Sequence, residues 1–340
     1  MAALYHNVTS VSSIEANTLH IDTIKIGHAY RNKDLPLLEG LLNKGFELNH
    51  KQRKNLNKIT TAHLKPNNLI PYHLTIIKSD YGYCGVNIEL SLAKFLDNSG
   101  LGEQTNDDID CAFESIDYII KEQVNVEFDS RTAKVGRLDV NADFPVGEDK
   151  IQSYINAISR PNSRFTPAEF GETTKQFYNK SRKLLVYGKY KEVEHRWKKG
   201  RATDEQLEMA KGLLRVEVGL RKPPIDRLAK KLNISAEASH LINLTVARQI
   251  VSEGLHQLSL DMPRISDDAL YRELLKHFGK DAPYWLGIIK WKEKYGDDFW
   301  RILGWSQSKY YKKKRELETA NLWNVVSDEE LQALELTEGL

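Results

Sequence analysis

The stretch Val135-Gly-Arg-Leu-Asp-Val-Asn-Ala-Asp-Phe144 decides the fold, because its residues alternate between two chemically different faces. Successive side chains of a β-strand point to opposite sides, so one face carries Gly136, Leu138, Val140, Ala142 and Phe144. The other face carries Arg137, Asp139, Asn141 and Asp143. Asp and Asn are poor strand formers, so this row predicts a strand whose polar groups serve more than solubility. An ordinary solvent-facing strand is the alternative.

A second segment, Leu213-Leu-Arg-Val-Glu-Val-Gly-Leu-Arg221, has the same two-faced pattern. Its apolar face holds Leu214, Val216, Val218 and Leu220, and its polar face holds Arg215, Glu217 and Arg221. If the two strands are neighbours, Asp139, Asp143 and Glu217 can converge as the oxygen ligands that Mg²⁺ or Mn²⁺ prefers. Salt bridges from Arg137 to Glu217 and from Asp139 to Arg215 are the alternative, and spacing does not separate the two.

A third segment, Lys183-Leu-Leu-Val-Tyr-Gly-Lys-Tyr-Lys-Glu-Val-Glu-His-Arg-Trp197, predicts a short strand that delivers Tyr187 and changes into a charged helix after Gly188. Ammonium groups at Lys189 and Lys191 are expected to favour the phenolate of Tyr187. Such a tyrosinate can attack a phosphodiester if a metal holds the scissile phosphate. A purely structural tyrosine, one of 15 in the chain, is the alternative.

Strands and helices are mixed along the chain, which predicts an α+β fold. Alternating or apolar runs predict strands over 19–27, 71–79 and 84–92, with a hairpin turn at 80–83. Helical spacing predicts helices near 110–122 and through Ile151, Tyr154, Ile155 and Ile158. After Pro223 and Pro224, helices are expected over 226–233, 265–278, 281–295 and 306–321.

The resulting domain prediction has four parts. Residues 1–18 form an N-terminal extension, and 19–223 form a domain with a central antiparallel sheet flanked by helices. Residues 224–323 form a helical accessory domain, and 324–340 form an acidic tail. A length of 340 residues is consistent with about two domains.

Composition describes an ordinary globular chain, with 41% hydrophobic and 28% charged residues and a net charge of +2. No apolar run approaches the ~18 residues of a membrane span, and no signal-peptide layout opens the chain, so a cytoplasmic location is expected. Cys84 and Cys111 are too few for a disulfide framework and are expected to be buried small hydrophobes.

The charge is unevenly distributed. Between Lys175 and Lys222 there are 14 basic and 6 acidic residues, and a second basic segment runs Lys309-Tyr-Tyr-Lys-Lys-Lys-Arg315. Such local fields attract nucleic acid whatever the net charge, although solvated faces are the alternative. The cations expected to contact DNA are Arg137, Arg215, Arg221, Lys309, Lys312, Lys313, Lys314 and Arg315.

The order of these motifs resembles the replication initiators of filamentous phages, of the gene II protein type, and more distantly the rolling-circle initiators of some plasmids. The matching segments are IDTIKIGHAY, GVNIELSLAKFL, GRLDVNADF, LLVYGKYKEVE, LLRVEVGLRKPPIDRL and WKEKYGDDFWRILGWSQSKYYKKKREL. They span roughly Ile21 to Leu317.

This resemblance implies a fold like that of rolling-circle initiator nucleases. It also implies that the protein acts in the cytoplasm of a host cell. It implies an endonuclease and strand transferase in which Tyr187 attacks origin DNA, leaving a 3′ hydroxyl, and the displaced single strand is later closed into a circle. Lys189 and Lys191 are expected to assist. Mg²⁺ or Mn²⁺ is expected on Asp139 and Glu217, with Glu192 a further candidate, while Asp143 is a candidate from the strand pattern above. A host helicase, polymerase and single-strand-binding protein are implied as partners.

One departure from the family pattern and several alternatives stay open. None of the 10 histidines has the His-hydrophobic-His spacing of many rolling-circle initiators. Tyr190 is an alternative or second nucleophile, and His195 is an alternative metal ligand or general base. A DNA-binding replication regulator or repressor without cleavage would retain the same fold. A metal phosphoesterase acting through activated water would form no covalent protein–DNA product.

Overall fold

The computed structural model describes most of the chain in separate ranges. They are residues 14–16, 18–31, 38–52, 58–65, 72–79, 84–96, 101, 104–158, 161–162, 164–169, 173–261, 264–265, 267–320, 322–323, 326–327 and 331–336. The hairpin turn predicted at 80–83 lies outside them.

The strands of these ranges are β1 (Ile14–Glu15), β2 (Thr18–Tyr30), β3 (Glu47–Gln52), β4 (Lys58–Leu64), β5 (Tyr72–Ser79), β6 (Cys84–Ser91), β7 (Lys134–Pro145), β8 (Thr166–Glu169), β9 (Thr174–Tyr178), β10 (Arg182–Gly188), β11 (Leu213–Arg221), β12 (Arg264–Ile265), β13 (Val326–Ser327) and β14 (Leu334–Glu335).

The α-helices are α1 (Leu92–Leu96), α2 (Asn106–Val124), α3 (Ile151–Ala157), α4 (Lys189–Trp197), α5 (Asp204–Met209), α6 (Lys222–Leu232), α7 (Ala238–Leu241), α8 (Leu244–Leu258), α9 (Asp267–Phe278), α10 (Ala282–Tyr295), α11 (Phe299–Ile302) and α12 (Gln307–Thr319). Short 3₁₀ turns lie at Leu38–Lys44, Glu148–Lys150, Gly279–Asp281 and Gly296–Asp298.

The contacts divide the chain into two compact units, whose boundaries fall at the start of β2 and within β7, β11 and α8. The first unit takes its described residues from 1–18, 142–218 and 249–340, and the second takes them from 19–141 and 219–248. The fold is α+β, with a large antiparallel sheet and a helical C-terminal region, as the sequence predicts.

In the second unit the strand order is β3-β4-β5-β6-β2-β7. The pairs β3/β4, β4/β5, β5/β6 and β2/β6 are antiparallel, and this register sets Lys25 and His73 on either side of Glu89. Helix α2 begins with a capping box between Thr105 and Asp108 and buries Ile109, Phe113, Ile116 and Ile120. Its apolar residues recur every three or four positions, which gives the helix one buried face.

In the first unit the order is β7-β11-β10-β9-β8, with β8/β9 and β9/β10 antiparallel. Helix α8 approaches β11 so closely that a Cβ on Gly254 would lie 2.5 Å from Val218 Cγ2. Helices α9 to α12 enclose an aromatic core around Trp285, Phe299, Tyr310 and Trp323.

Most predicted elements are confirmed. The strands over 19–27, 71–79 and 84–92 are β2, β5 and β6, and the helix near 110–122 is α2. The helix predicted from Asp226 begins earlier, at Lys222. Its two prolines are tolerated in the first turn, because the N–H groups of that turn have no hydrogen-bond partner within the helix and proline lacks an N–H. Cys84 is buried as expected, but Cys111 is exposed on α2, so that part of the prediction is wrong.

None of the described helices combines the length and the apolar character needed to cross a bilayer.

Candidate active site

Tyr187 stands at the end of β10, where the strand changes directly into α4. Leu184 and Val186 face the core, so the alternation of the strand places Tyr187 on the other, partly exposed side. The N–H of Gly188 donates to the carbonyl oxygen of Thr173 at 3.1 Å, and α4 begins at the next residue. The predicted strand-to-helix change after Gly188 is therefore confirmed.

The hydroxyl of Tyr187 is held by a carboxylate on β11. It donates a hydrogen bond to Glu217 Oε1 at 2.9 Å, while Lys183 Nζ lies 3.1 Å from Glu217 Oε2. Lys183 is four residues before Tyr187, on the same side of β10, so one carboxylate bridges two side chains of the neighbouring strand. These contacts fix the direction of the phenolic O–H bond toward Glu217.

Burial raises the pKa of Tyr187 well above its ordinary value of 10, and the negative charge of Glu217 raises it further, while Arg215 opposes the change. The phenol is therefore protonated at neutral pH. The expectation that neighbouring ammonium groups favour the phenolate is wrong, because desolvation and Glu217 outweigh the cations. Glu217 instead occupies the position of a general base, within hydrogen-bonding distance of the proton it would remove.

Arg215 and Asp143 form a buried pair beside this tyrosine. Arg215 Nε donates to Asp143 Oδ1 at 2.6 Å and its terminal nitrogen to Oδ2 at 2.5 Å, with Asp143 only 1% exposed. Thr18 Oγ1 adds a contact to Asp143 Oδ2 at 3.3 Å. Such a two-pronged pair fixes both side chains and presents neither charge at the surface.

Lys189 is the buried cation on the other side of Tyr187. It is 3% exposed, forms an ion pair with Glu192, and its Nζ lies 5.9 Å from the centre of the Tyr187 ring. Burial lowers the pKa of Lys189, and Arg215 lowers it further, although Glu192 acts in the opposite direction. Glu192 also lies 3.8 Å from Arg196 of the same helix.

A separate polar cluster lies in the second unit. Arg137 donates to both oxygens of Asp139, two residues along β7, and to Glu89 Oε1 at 2.6 Å, and Lys25 lies 3.3 Å from Glu89 Oε2. Burial raises the pKa of Glu89, but the hydrogen bonds and charges of Arg137 and Lys25 lower it more, so the net direction is downward. The polar face of β7 is thus an ion-pair network rather than a solvated surface.

The carboxylates differ in how well they fit a divalent metal. The described part of the chain brings no three His, Cys, Asp or Glu residues together as a metal-ligand group. Asp139 and Asp143 each give both oxygens to an arginine, so they do not fit as placed. Glu217 and Glu192 also have partners at both oxygens, but these are separate side chains and not one arginine that holds both oxygens. Both glutamates lie beside Tyr187, so they are the two carboxylates that fit by chemistry.

The remaining predicted residues divide by exposure. Lys191 and His195 are exposed on α4, Tyr190 is partly exposed there, and Arg221 is exposed before α6. On α12, Lys309, Lys312 and Arg315 are exposed. Tyr311, Lys312 and Arg315 belong to the lining of an open groove of about 470 Å³.

Two lysines of α12 are instead held by internal contacts. Lys313 pairs with Glu316 at 2.9 Å and lies 4.3 Å from the Trp285 ring centre. Lys314 lies 3.6 Å from Glu318 and 5.4 Å from the Trp323 ring centre. The basic segment therefore contains outward-facing cations and cations that pack against its own aromatic core.

Sequence reasoning missed Lys183 and Glu89 as members of these clusters. Lys183 has a detectable signal, since it shares a strand face with Tyr187 at an even spacing. Glu89 lies opposite Lys25 only through the β2/β6 register, and its contact with Arg137 depends on tertiary packing.

A scan against protein families matches residues 44–249 to the model for the N-terminal part of the replication-associated protein of the phage gene II type. The matched range includes Asp139, Asp143, Tyr187, Glu192 and Glu217, whereas α12 lies beyond it. No curated protein matches the chain.

Proposed function

The chain belongs to the family of phage replication-associated proteins described by this model, and from that premise we propose that it starts DNA replication by nicking one strand at an origin. The observation that carries the proposal is the hydrogen bond from the Tyr187 hydroxyl to Glu217. It pairs a nucleophile with a base in the manner of activated hydroxyl nucleophiles. Lys183, Lys189 and Arg215 surround that pair with positive charge.

In the proposed reaction, the Tyr187 oxygen forms a bond to the scissile phosphorus while Glu217 takes the phenolic proton. The bond from phosphorus to the 3′ oxygen breaks, and the proton that Glu217 took is passed to that oxygen, which leaves as a free 3′ hydroxyl. The 5′ phosphate stays on Tyr187. In the reverse step a 3′ hydroxyl attacks this phosphotyrosine, releases Tyr187 and closes the displaced strand.

We further propose Mg²⁺ or Mn²⁺ as the cofactor, with Glu217 and Glu192 as the residues that would hold it. When bound, such an ion supplies positive charge to the phosphate oxygens. Lys189 positions Glu192 through their ion pair. Lys183 holds the second oxygen of Glu217 and thereby orients the first toward Tyr187. Host helicase, polymerase and single-strand-binding protein would then act on the exposed 3′ end.

The test is to incubate purified protein with supercoiled DNA carrying the origin of its own replicon, with Mg²⁺, with Mn²⁺ and with a chelator. Wild type is expected to give relaxed circles and a covalent protein–DNA band that survives denaturation, both dependent on the metal. Tyr187→Phe is expected to give neither, while its gel-shift affinity stays within about twofold, because only one hydroxyl is lost.

Tyr190→Phe is the matched control, since it removes the same atom three residues away, and it is expected to nick like wild type. Retained nicking by Tyr187→Phe would refute the assignment of the nucleophile. Nicking without a covalent band would instead indicate attack by water. A gel shift without cleavage under any divalent ion would indicate a regulator that binds DNA without cutting it.

A further inference from the structure

The helix that follows Tyr187 carries more positive charge than its own carboxylates can neutralise. Residues 189–201 contain six lysines and arginines and two glutamates. Glu192 pairs with Lys189 and Arg196, and Glu194 pairs with Lys198 at 2.9 Å. Lys191, Lys199 and Arg201 are exposed and have no ion pair with any described residue.

An aromatic ring lies at the end of the same helix. Trp197 is 41% exposed, although an indole of this size is ordinarily buried. Its Nε1 donates to Asp204 Oδ1 at 2.6 Å, which holds the ring against the start of α5. A fixed, exposed ring offers a stacking surface whose conformational entropy has already been lost.

From these contacts we infer that α4 and the turn after it bind single-stranded DNA next to the scissile phosphate, with a base stacked on Trp197 and phosphates on Lys191, Lys199 and Arg201. Exposed aromatics interleaved with unpaired cations are the combination that binds single strands without sequence preference. A duplex keeps its bases stacked on one another, so it cannot use the ring in this way. The inference rests on the proposed function for the position of the scissile phosphate, but not for the binding itself.

The length of α4 suits a DNA strand whose scissile phosphate lies at Tyr187. Helix α4 begins two residues after Tyr187 and ends at Trp197, a rise of about 12 Å at ~1.5 Å per residue. A base stacked on Trp197 therefore belongs to a nucleotide close to, but separate from, the one whose phosphate reaches Tyr187.

The test measures binding of a fluorescent 20-nucleotide oligothymidylate and of a 20-base-pair duplex to the full chain without divalent metal, in the Tyr187→Phe background. Trp197→Ala is expected to weaken binding of the single strand roughly tenfold and to leave the duplex within about twofold. Replacing Lys191, Lys199 and Arg201 together by Gln is expected to reduce the salt slope of single-strand binding by about 2.

Matched controls are available for both variants. Trp197→Phe keeps an aromatic face and should retain most of the binding. Replacing the exposed Lys222, Arg227 and Lys230 of α6 by Gln makes the same charge change elsewhere and should leave the slope unchanged. Unchanged single-strand affinity in Trp197→Ala, or equal losses for single strand and duplex, would overturn the inference. Because no cleavage is measured, absent nicking would refute the proposed function without affecting this result.

Discussion

At the scale of single residues, the chemistry depends on the balance around one phenol. Burial and Glu217 make Tyr187 harder to ionise, whereas Arg215 makes it easier, and the net change is a strongly raised pKa. Under the proposed function, a nucleophile with that property cannot rely on its small phenolate fraction at neutral pH and needs a base in contact. The hydrogen bond from Tyr187 places Glu217 in that position.

This balance predicts how nicking varies with pH. If Glu217 takes the proton during attack, as proposed, the single-turnover rate of the wild type should change little between pH 6.5 and 8.5. In Glu217→Gln the attack depends on free phenolate, so the rate at neutral pH should fall about 10²- to 10⁴-fold. Because the pKa of Tyr187 lies above this range, the phenolate fraction and the residual rate should rise about tenfold per pH unit.

The control for this series is Glu208→Gln, which makes the same change at an exposed residue of α5. It should reproduce the wild-type rate and profile. A wild-type rate that itself rises tenfold per unit across the range would show that Glu217 is not the base.

Residue patterns predict the strands of this site better than the partners of its side chains. Period-two alternation of apolar and polar side chains locates β7 and β11 to within a residue or two, because the chemical difference between the two faces is a local property of each strand, although residues of both faces are buried. The pairing of Asp143 with Arg215, and of Arg137 with Glu89, depends on which strands become neighbours. The direction of the Tyr187 pKa depends on desolvation by the whole fold, which no spacing encodes.

At the scale of elements, α8 shows the same difference between what local sequence patterns predict and what depends on tertiary packing. The helices predicted from the sequence do not include its 15 residues. Its most informative residue is Gly254, whose missing side chain permits the contact with Val218 of β11. Close approach of a helix backbone to a side chain of another element depends on tertiary packing, so in the sequence Gly254 resembles an ordinary helix-weakening glycine.

This contact predicts opposite effects for two helical glycines. In Gly254→Ala the new methyl group would lie 2.5 Å from Val218 Cγ2, so overpacking should lower the free energy of unfolding by about 1–3 kcal/mol. In Gly287→Ala, in α10, no atom lies within 4 Å, so better helix propensity should raise it by up to about 1 kcal/mol. Urea denaturation of both variants checks the pair. A Gly254→Ala protein as stable as Gly287→Ala would contradict the close packing of α8.

The cations of helix α12 are expected to have two different roles, some contacting DNA and others stabilising the fold. Replacing Lys312 and Arg315 by Gln should weaken duplex binding and reduce its salt slope by about 2, because both are exposed beside the groove. Replacing Lys313 and Lys314 by Gln should leave the slope nearly unchanged. It should lower stability by about 1 kcal/mol, since ion pairs and ring contacts are lost.

Gel shifts at several salt concentrations, with urea denaturation of the same proteins, measure both properties. Equal salt slopes for the two double variants would show that the exposure of α12 does not decide which cations meet DNA.

At the scale of the whole molecule, tyrosines with raised pKa values lie in both units. Burial, then Asp117 and Glu127, raise the pKa of Tyr30 to about 12, and burial also raises the pKa of Tyr72. Tyr187 follows the same direction. Each of these phenols binds its proton more tightly in the folded chain than in the unfolded chain. Their contribution to stability is therefore complete below pH 10 and is lost as the pH rises through the folded pKa.

The free energy of unfolding should consequently fall between pH 10 and 12, which urea denaturation at closely spaced alkaline pH values can follow. Tyr30→Phe loses the hydrogen bond from its hydroxyl to the Glu127 carbonyl, so it should be about 1 kcal/mol less stable at neutral pH. Its free energy of unfolding should also fall less steeply above pH 10, because the variant lacks one phenol that holds its proton more tightly in the folded chain. Tyr118→Phe, at an exposed position, should follow the wild-type curve. If the free energy of unfolding of Tyr30→Phe fell as steeply as that of the wild type, ionisation of Tyr30 would not contribute to alkaline unfolding.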